Sequence, residues 1–279
     1  MNVFIVGLGL IGASYAAGLR AAGHCVDGYD SDAATCSKAH AAGLIESGTL
    51  EAMRHADVII LALYPKDIPT FLKAHQGVWP DTALMTDVSG VKKPLEEAIL
   101  GLSDTPIRYV SHHPMAGKAK HGFDAHDGSL FKGANCLLIE REDTKDTDLR
   151  LLKTLLEDLG FGRFITVDAR RHDHLIAFTS QLTHAIAVAL MHADSDPLTP
   201  QATGDSFRDL TRIAEINAPM WCELFLSNKH ALTEEITRFQ AVLERMKQHI
   251  LTDDAAALVT LFETSTRKRQ QFDRLSHKG

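Results

Sequence analysis

The chain has 279 residues, 45% hydrophobic and 23% charged, a globular usage that excludes collagen-like, low-complexity and disordered chains and has room for one large domain or two ordinary ones. Its formal charge is −7 at pH 7, from Lys+Arg 29 against Asp+Glu 36, so no general cationic field exists to hold nucleic acid or an anionic membrane, and neither is expected as a partner. Four cysteines, Cys25, Cys36, Cys136 and Cys222, form no CxxC pair, which fits reduced thiols in a cytoplasmic protein better than a disulfide frame or a zinc site; no metal is expected.

Met1-Asn2 leads directly into Val3-Phe4-Ile5-Val6 with no basic n-region or cleavage site, so no secretory signal is expected. Short apolar runs at 3–6, 25–29, 58–63, 83–87, 107–111, 136–139 and 164–167 read as strands, several of them apolar on both faces. Helical stretches at 11–22, 33–41 and 149–159 lie between them. This alternation predicts an α/β fold over residues 1–168, a doubly wound, mostly parallel sheet of the Rossmann type. From 169 to 279 the strand-like runs vanish. Helical patterns at 172–193, 207–216, 218–227, 232–249 and 254–276, broken near Pro197, Pro200 and Pro219, predict an all-helical second domain. The nearest candidate for a membrane span, 182–191, is short of the ~20 apolar residues needed and carries His184.

The first strand runs into Gly7-Leu8-Gly9-Leu10-Ile11-Gly12, a GxGxxG turn that opens a helix at once. Gly7 permits the tight turn, Gly9 lets the backbone approach a pyrophosphate, and Gly12 lets helix and strand pack closely, while the helix N-terminus supplies amides and a positive dipole. The second strand ends at Asp30, 18 positions past Gly12, where an acid meets the adenosine ribose hydroxyls. Asp30 repels a 2′-phosphate and neither Ser31 nor Asp32 supplies an arginine, so NAD is expected over NADP. Leu63, closing the third strand run, is assigned to the same cofactor edge.

Ligands of open α/β sheets collect beyond the carboxyl ends of the strands. Two segments leave strands there: Thr86-Asp87-Val88-Ser89-Gly90-Val91-Lys92, with a hydroxyl and a glycine, and Ser111-His112-His113-Pro114-Met115-Ala116-Gly117, with an imidazole. Histidine accepts a proton from an alcohol near neutral pH, because its ordinary pKa is ~6.5. His113 is the candidate; His112 points the other way. In the helical part, positions 174, 177, 181 and 184 share one helix stripe reading His, Ala, Gln, His. On an otherwise apolar helix, that stripe favours a cleft lining. Arg212 sits between apolar neighbours, where a guanidinium needs an anion, either an internal carboxylate or that of a substrate.

With these residues in hand, the sequence resembles the prephenate dehydrogenase family along nearly its whole length: the N-terminal GLGLIG, Asp87 to Lys92, His113-Pro-Met-Ala-Gly, Ser180-Gln-Leu-Thr-His184, and Arg212-Ile-Ala followed by Pro219-Met-Trp. The resemblance implies an NAD-dependent oxidative decarboxylase of tyrosine biosynthesis, turning prephenate into 4-hydroxyphenylpyruvate, with a helical domain through which members form homodimers. It also implies that His113 hydrogen-bonds the substrate's ring hydroxyl, that His184 lies in the substrate pocket, and that Arg212 binds a substrate carboxylate; Gln181, on the same helix stripe as His184, is assigned to substrate binding with it. Ser89 is the matching catalytic serine, although the family commonly reads glycine then serine where this chain has Ser89 then Gly90. The family's acid six residues past the motif histidine is Ala119 here. Arogenate dehydrogenase is the nearest alternative. A β-hydroxy-acid dehydrogenase is disfavoured by the histidine motif, and an NAD-sensing regulator by the joint presence of His113, His184 and Arg212.

Overall fold

Alternation along the first strand decides the layering. In β1 (Asn2–Val6), Val3 and Ile5 enter one apolar cluster, while Phe4 and Val6 enter another across the sheet, as the two-residue period of a strand requires. The computed structural model describes residues 1–102, 107–118 and 120–276; Ala119 lies outside the described residues. The chain continues through α1 (Leu10–Ala21), β2 (Cys25–Tyr29), α2 (Ala33–Ala41), β3 (Val58–Leu61), α3 (Asp67–Ala74), β4 (Leu84–Asp87), α4 (Lys93–Leu100), β5 (His112–Pro114), β6 (Asn135–Ile139), α5 (Asp146–Glu157) and β7 (Arg163–Val167). Strands β2-β1-β3-β4 form a parallel sheet in that order. All of β3 is buried, which is why it reads as an uninterrupted apolar run. The parallel Rossmann sheet expected from sequence is present.

The run at 107–111 departs from expectation. Tyr109 forms only an isolated bridge to Met85, with Val110 N donating to the Met85 carbonyl at 3.0 Å. At Ser111 the chain turns to accept from Ile139 N at 2.9 Å. The regular strand is therefore β5, antiparallel to β6, and β6 pairs parallel with β7. The segment divides its backbone bonds between two sheets, so His113 lies within a strand rather than beyond one. Helices α3 and α4 are absent from the spans named from sequence; each is short and carries a proline in its first turn, where no helical N–H is lost.

After β7 the described chain is helical: α6 (Ala169–Ile176), a π-helical turn (Ala177–Gln181), α7 (Leu182–Ala193), α8 (Thr199–Ala202), α9 (Asp205–Thr211), α10 (Ala218–Ser227), α11 (Lys229–Leu251) and α12 (Ala255–Ser276). The expected helix at 207–216 instead ends at Thr211 and tightens into a 3₁₀ turn at Arg212–Ala214. From Ala169 to Ala193 the helix is continuous, and by length and mean hydropathy, 1.4, it is long and apolar enough to cross a membrane. Its buried positions include His172, Asp173 and Gln181, each bonded to a neighbouring element, which is how a packed helix of a globular fold behaves.

Candidate active site

The glycine turn is built for a tight bend with open space above it. Gly7 has φ +89°, and a Cβ there would meet the Ala62 carbonyl at 2.5 Å and Leu63 Cδ2 at 3.0 Å. A Cβ on Gly12 would overlap the Gly7 carbonyl oxygen. Gly9 differs: a Cβ there would touch nothing within 4 Å. At Gly9 the space lies outside the protein, where a diphosphate would rest on the first-turn amides of α1, whose N-terminus has no side-chain cap. Asp30 accepts from Leu8 N at 2.8 Å and from Asp32 N at 3.0 Å, locking its carboxylate to the turn. Around it Tyr29, Ser31, Ala33, Cys36, His40 and Thr49 line an open cleft, of a shape and position suited to an adenosine.

At the sheet edge, β4 and β5 are joined through a buried cation. Lys92 Nζ donates to Asp87 Oδ1 at 2.8 Å and to the His112 carbonyl at 2.7 Å. The Tyr109 and Ser111 hydroxyls donate to Asp87 Oδ2, and Ser89 N to Oδ1 at 2.8 Å. Burial alone would raise the Asp87 carboxyl, but Lys92 and the two hydroxyls hold it below the ordinary carboxylate range. The two histidines of β5 face opposite sides. His112 is buried between the Tyr15 hydroxyl at 2.6 Å and the Thr86 hydroxyl at 2.7 Å, and burial with nearby Lys92 pushes its pKa down to about 3. His113 is half-buried, with Nδ1 2.9 Å from His172 Nε2. Its Cε1 and Nε2 lie 3.9 Å from where a Cβ on Gly90 would stand. Burial, then the neighbouring His172 and Lys92, keep His113 well below the ordinary imidazole range.

Position 90, rather than 89, therefore faces His113. Ser89 is 5% exposed and its hydroxyl is buried with no hydrogen-bond partner, so it makes no bond to the His113 ring.

The helices close the other side. A Cβ on Gly90 would reach Leu224 of α10 at 3.3 Å. One turn earlier on that helix, Trp221 stacks on His184 with ring centroids 3.7 Å apart. His184 Nδ1 donates to the Ser180 carbonyl at 2.9 Å, leaving Nε2 as the acceptor, and burial lowers its pKa. Gln181 does not face an occupant. It is 1% exposed, donates from Nε2 to the Leu224 carbonyl at 3.1 Å and accepts from Asn228 Nδ2 at 2.8 Å. It braces the π turn against α10 and α11, so the expected substrate contact becomes a structural one. Arg212 is exposed on the 3₁₀ turn that packs against α7, and among the described residues it forms no ion pair. Of the two partners open at sequence level, the internal carboxylate is thus not found.

His172 and Asp173 escaped sequence reading. Asp173 Oδ1 accepts from His172 Nδ1 and from Lys92 N, both at 2.8 Å, and Oδ2 accepts from Lys93 N at 2.9 Å. Their only signal was a His-Asp-His run at the start of a helix, with nothing to link it to a motif 59 residues earlier.

The family model for the prephenate dehydrogenase nucleotide-binding domain matches residues 15–165, and that for the prephenate dehydrogenase dimerization domain matches 168–264. A prephenate dehydrogenase of Lactococcus lactis subsp. cremoris is 33% identical, covering 100% of this chain and 78% of that protein. The crystal structure of prephenate dehydrogenase from A. aeolicus, in complex with hydroxyphenyl propionate and NAD+, superposes with a TM-score of 0.88 at 29% identity over 98% of each chain. Synechocystis arogenate dehydrogenase gives 0.87 at 27% identity, over 98% of this chain and 100% of that one.

Proposed function

The chain belongs to the prephenate dehydrogenase family, and from that premise we propose that it oxidises prephenate to 4-hydroxyphenylpyruvate and carbon dioxide, with NAD as the oxidant. The observation that carries this reading is His113, whose Nε2 lies on the Gly90 side, between the sheet edge and Leu224 of α10, while Nδ1 is tied to His172 behind it. The open cradle at Gly9, the uncapped α1 amides and Asp30 fit a dinucleotide with free ribose hydroxyls. Held by the Gly9 turn, the α1 amides and Asp30, NAD would supply a hydride acceptor for the ring carbon that bears the hydroxyl.

The chain's residues then have three tasks. His113 accepts a hydrogen bond from the ring hydroxyl, so electron density rises on that oxygen as the carbon loses its hydride. Arg212 and His184 hold the anionic substrate, Arg212 on a carboxylate, which fixes the reacting carbon near the nicotinamide. Gln181 and Trp221 keep the wall rigid. As the ring carboxylate departs as carbon dioxide, its bonding pair enters the ring, which becomes aromatic; the phenol oxygen retains its proton and the equation balances without net proton release. Aromatisation supplies the driving force. Ser89, buried with an unpartnered hydroxyl, is given no contact with the His113 ring in this reading.

The assembly is proposed as a homodimer formed through the helices, because residues 168–264 match the family's dimerization domain and Phe178 and Leu226 on them are 54% and 65% exposed. The four free thiols support our proposal of a reducing, cytoplasmic compartment.

The test is nicotinamide reduction, followed by absorbance, on adding prephenate, with arogenate in a parallel arm. Turnover with prephenate supports the reading. Turnover with arogenate alone reassigns the substrate, and none with either removes the enzymatic reading.

A further inference from the structure

His113 can accept a hydrogen bond at Nε2 only if that nitrogen is bare, whereas a neutral histidine in water favours the tautomer with its hydrogen on Nε2. We infer that His172 and Asp173 are positioning residues that lock His113 into the tautomer with hydrogen on Nδ1 and an open lone pair on Nε2. The inference rests on the proposed oxidation for its purpose, but its geometry stands in the protein alone.

The argument runs outward from the carboxylate. Both oxygens of Asp173 already accept backbone hydrogens, from Lys92 N at 2.8 Å and Lys93 N at 2.9 Å. Toward His172 Nδ1, at 2.8 Å, Asp173 is therefore an acceptor, and Nδ1 of His172 carries the hydrogen. A neutral imidazole has one N–H, so His172 Nε2 is bare. The 2.9 Å contact to His113 Nδ1 then requires His113 to donate, which leaves His113 Nε2 bare beside Gly90. A carboxylate two residues removed thus sets the hydrogen position on the reacting ring. The same order supports the ring during reaction, since His113, while it accepts the hydrogen bond of the ring hydroxyl, keeps its Nδ1–H on His172 and, through it, leans on Asp173.

The chain of three holds only while His172 is neutral. It is fully buried, and burial lowers its pKa against the opposing pull of Asp173. The other groups facing the pair are Lys92, which disfavours a cation on either ring, Asp87, His112, and Cys136, a thiol that burial pushes up to about 12. None supplies a competing acceptor to His113 Nδ1. The amide side of Asp173 also anchors the start of α4 and, through its carbonyl and Asn228 Nδ2 at 2.9 Å, α11, so the relay is fixed to both halves of the molecule.

Two variants and a spectrum test this. Asp173→Asn keeps one oxygen, for Lys93 N, and sets an N–H in the place of Oδ1, where Lys92 N loses its acceptor and His172 must turn from donor to acceptor, which reverses both imidazoles. Its kcat is expected to fall about 100-fold or more, with KM for prephenate little changed. His172→Gln can still offer His113 Nδ1 an acceptor oxygen, and its kcat is expected to fall by at most about tenfold. Long-range ¹H–¹⁵N correlation of the ligand-free protein at neutral pH reads the hydrogen directly: Nδ1–H at His113 in the wild type, Nε2–H in Asp173→Asn. The relay is overturned if wild-type His113 carries its hydrogen on Nε2, or if both proteins show one tautomer and equal kcat. Loss of folding in Asp173→Asn leaves the wild-type spectrum and His172→Gln to decide. If the wild type oxidises neither substrate while His113 shows Nδ1–H, the functional reading fails and the relay stands; turnover with the opposite tautomer fails the relay alone.

Discussion

The sheet region encloses its apolar side chains on both faces, whereas the helices after Val167 leave Leu210, Leu226, Leu251, Val259 and Phe262 in the open. Both buried clusters draw their members from before residue 168. In the helices, the buried positions are few and include His172, Asp173, Gln181 and Asn228, held by hydrogen bonds to one another or to neighbouring elements. One half is thus stabilised by burial and the other by a polar seam and by apolar faces that a second copy would cover. Chemistry falls on the seam: Asp173 on the Lys92 and Lys93 amides, Glu223 on Lys66 N at 2.9 Å, and Leu224 over Gly90.

The contrast can be broken in order of expected effect. Lys92→Met leaves Asp87 as an uncompensated buried charge at the seam and is expected to cost ~3–5 kcal/mol in denaturant unfolding; a loss under ~1 kcal/mol would mean the pair anchors nothing. Next comes His113→Asn, which should lower kcat by about 100-fold or more while cofactor affinity, measured by fluorescence titration, stays put. An unchanged rate would remove its role. On the helical side, Leu226→Asp is expected to forfeit ~2 kcal/mol of association per copy, seen in sedimentation as dissociation to monomer, with dinucleotide binding in the sheet region retained. Arg212→Ala should raise KM for prephenate about tenfold with kcat nearly constant, since the contact is present before and during reaction; a fall in kcat alone would contradict that role.

The most gradual effect is a slope with pH. His112 is held at about 3 in the folded chain, against ~6.5 when unfolded. Between these values the unfolded chain takes up a proton that the native state refuses. Stability is therefore complete above about pH 6.5 and declines as pH falls toward about 3, by ~1.4 kcal/mol per pH unit. His113 and His172, lowered by burial as well, add slope of the same sign. Denaturant midpoints taken from neutral pH to about pH 5 measure it, and His112→Asn should remove one proton's worth; a flat profile would show that these rings are solvated.

Some of this was readable in the order of residues alone. The apolar runs, the glycine spacing and Asp30 express local geometry: strand periodicity, a positive φ at Gly7 and the close approach at Gly12 follow from a few neighbouring residues. The motif around His113 was legible for the same reason, and so was the change from strands to helices. The strand at β5 was misplaced because its bonds are shared between β4 and β6, partners far apart in sequence. Gln181 read as a cleft residue because a helix stripe identifies a face but not what packs against it, and the partners were Leu224 and Asn228. Ser89 and Gly90 could not be told apart until the loop was placed, for a one-residue shift turns a side chain to another side. Only the assembled fold brought His172 and Asp173 behind His113, since a hydrogen bond needs its two atoms within about 3 Å and chain order says nothing of distance between elements packed from opposite ends of the molecule.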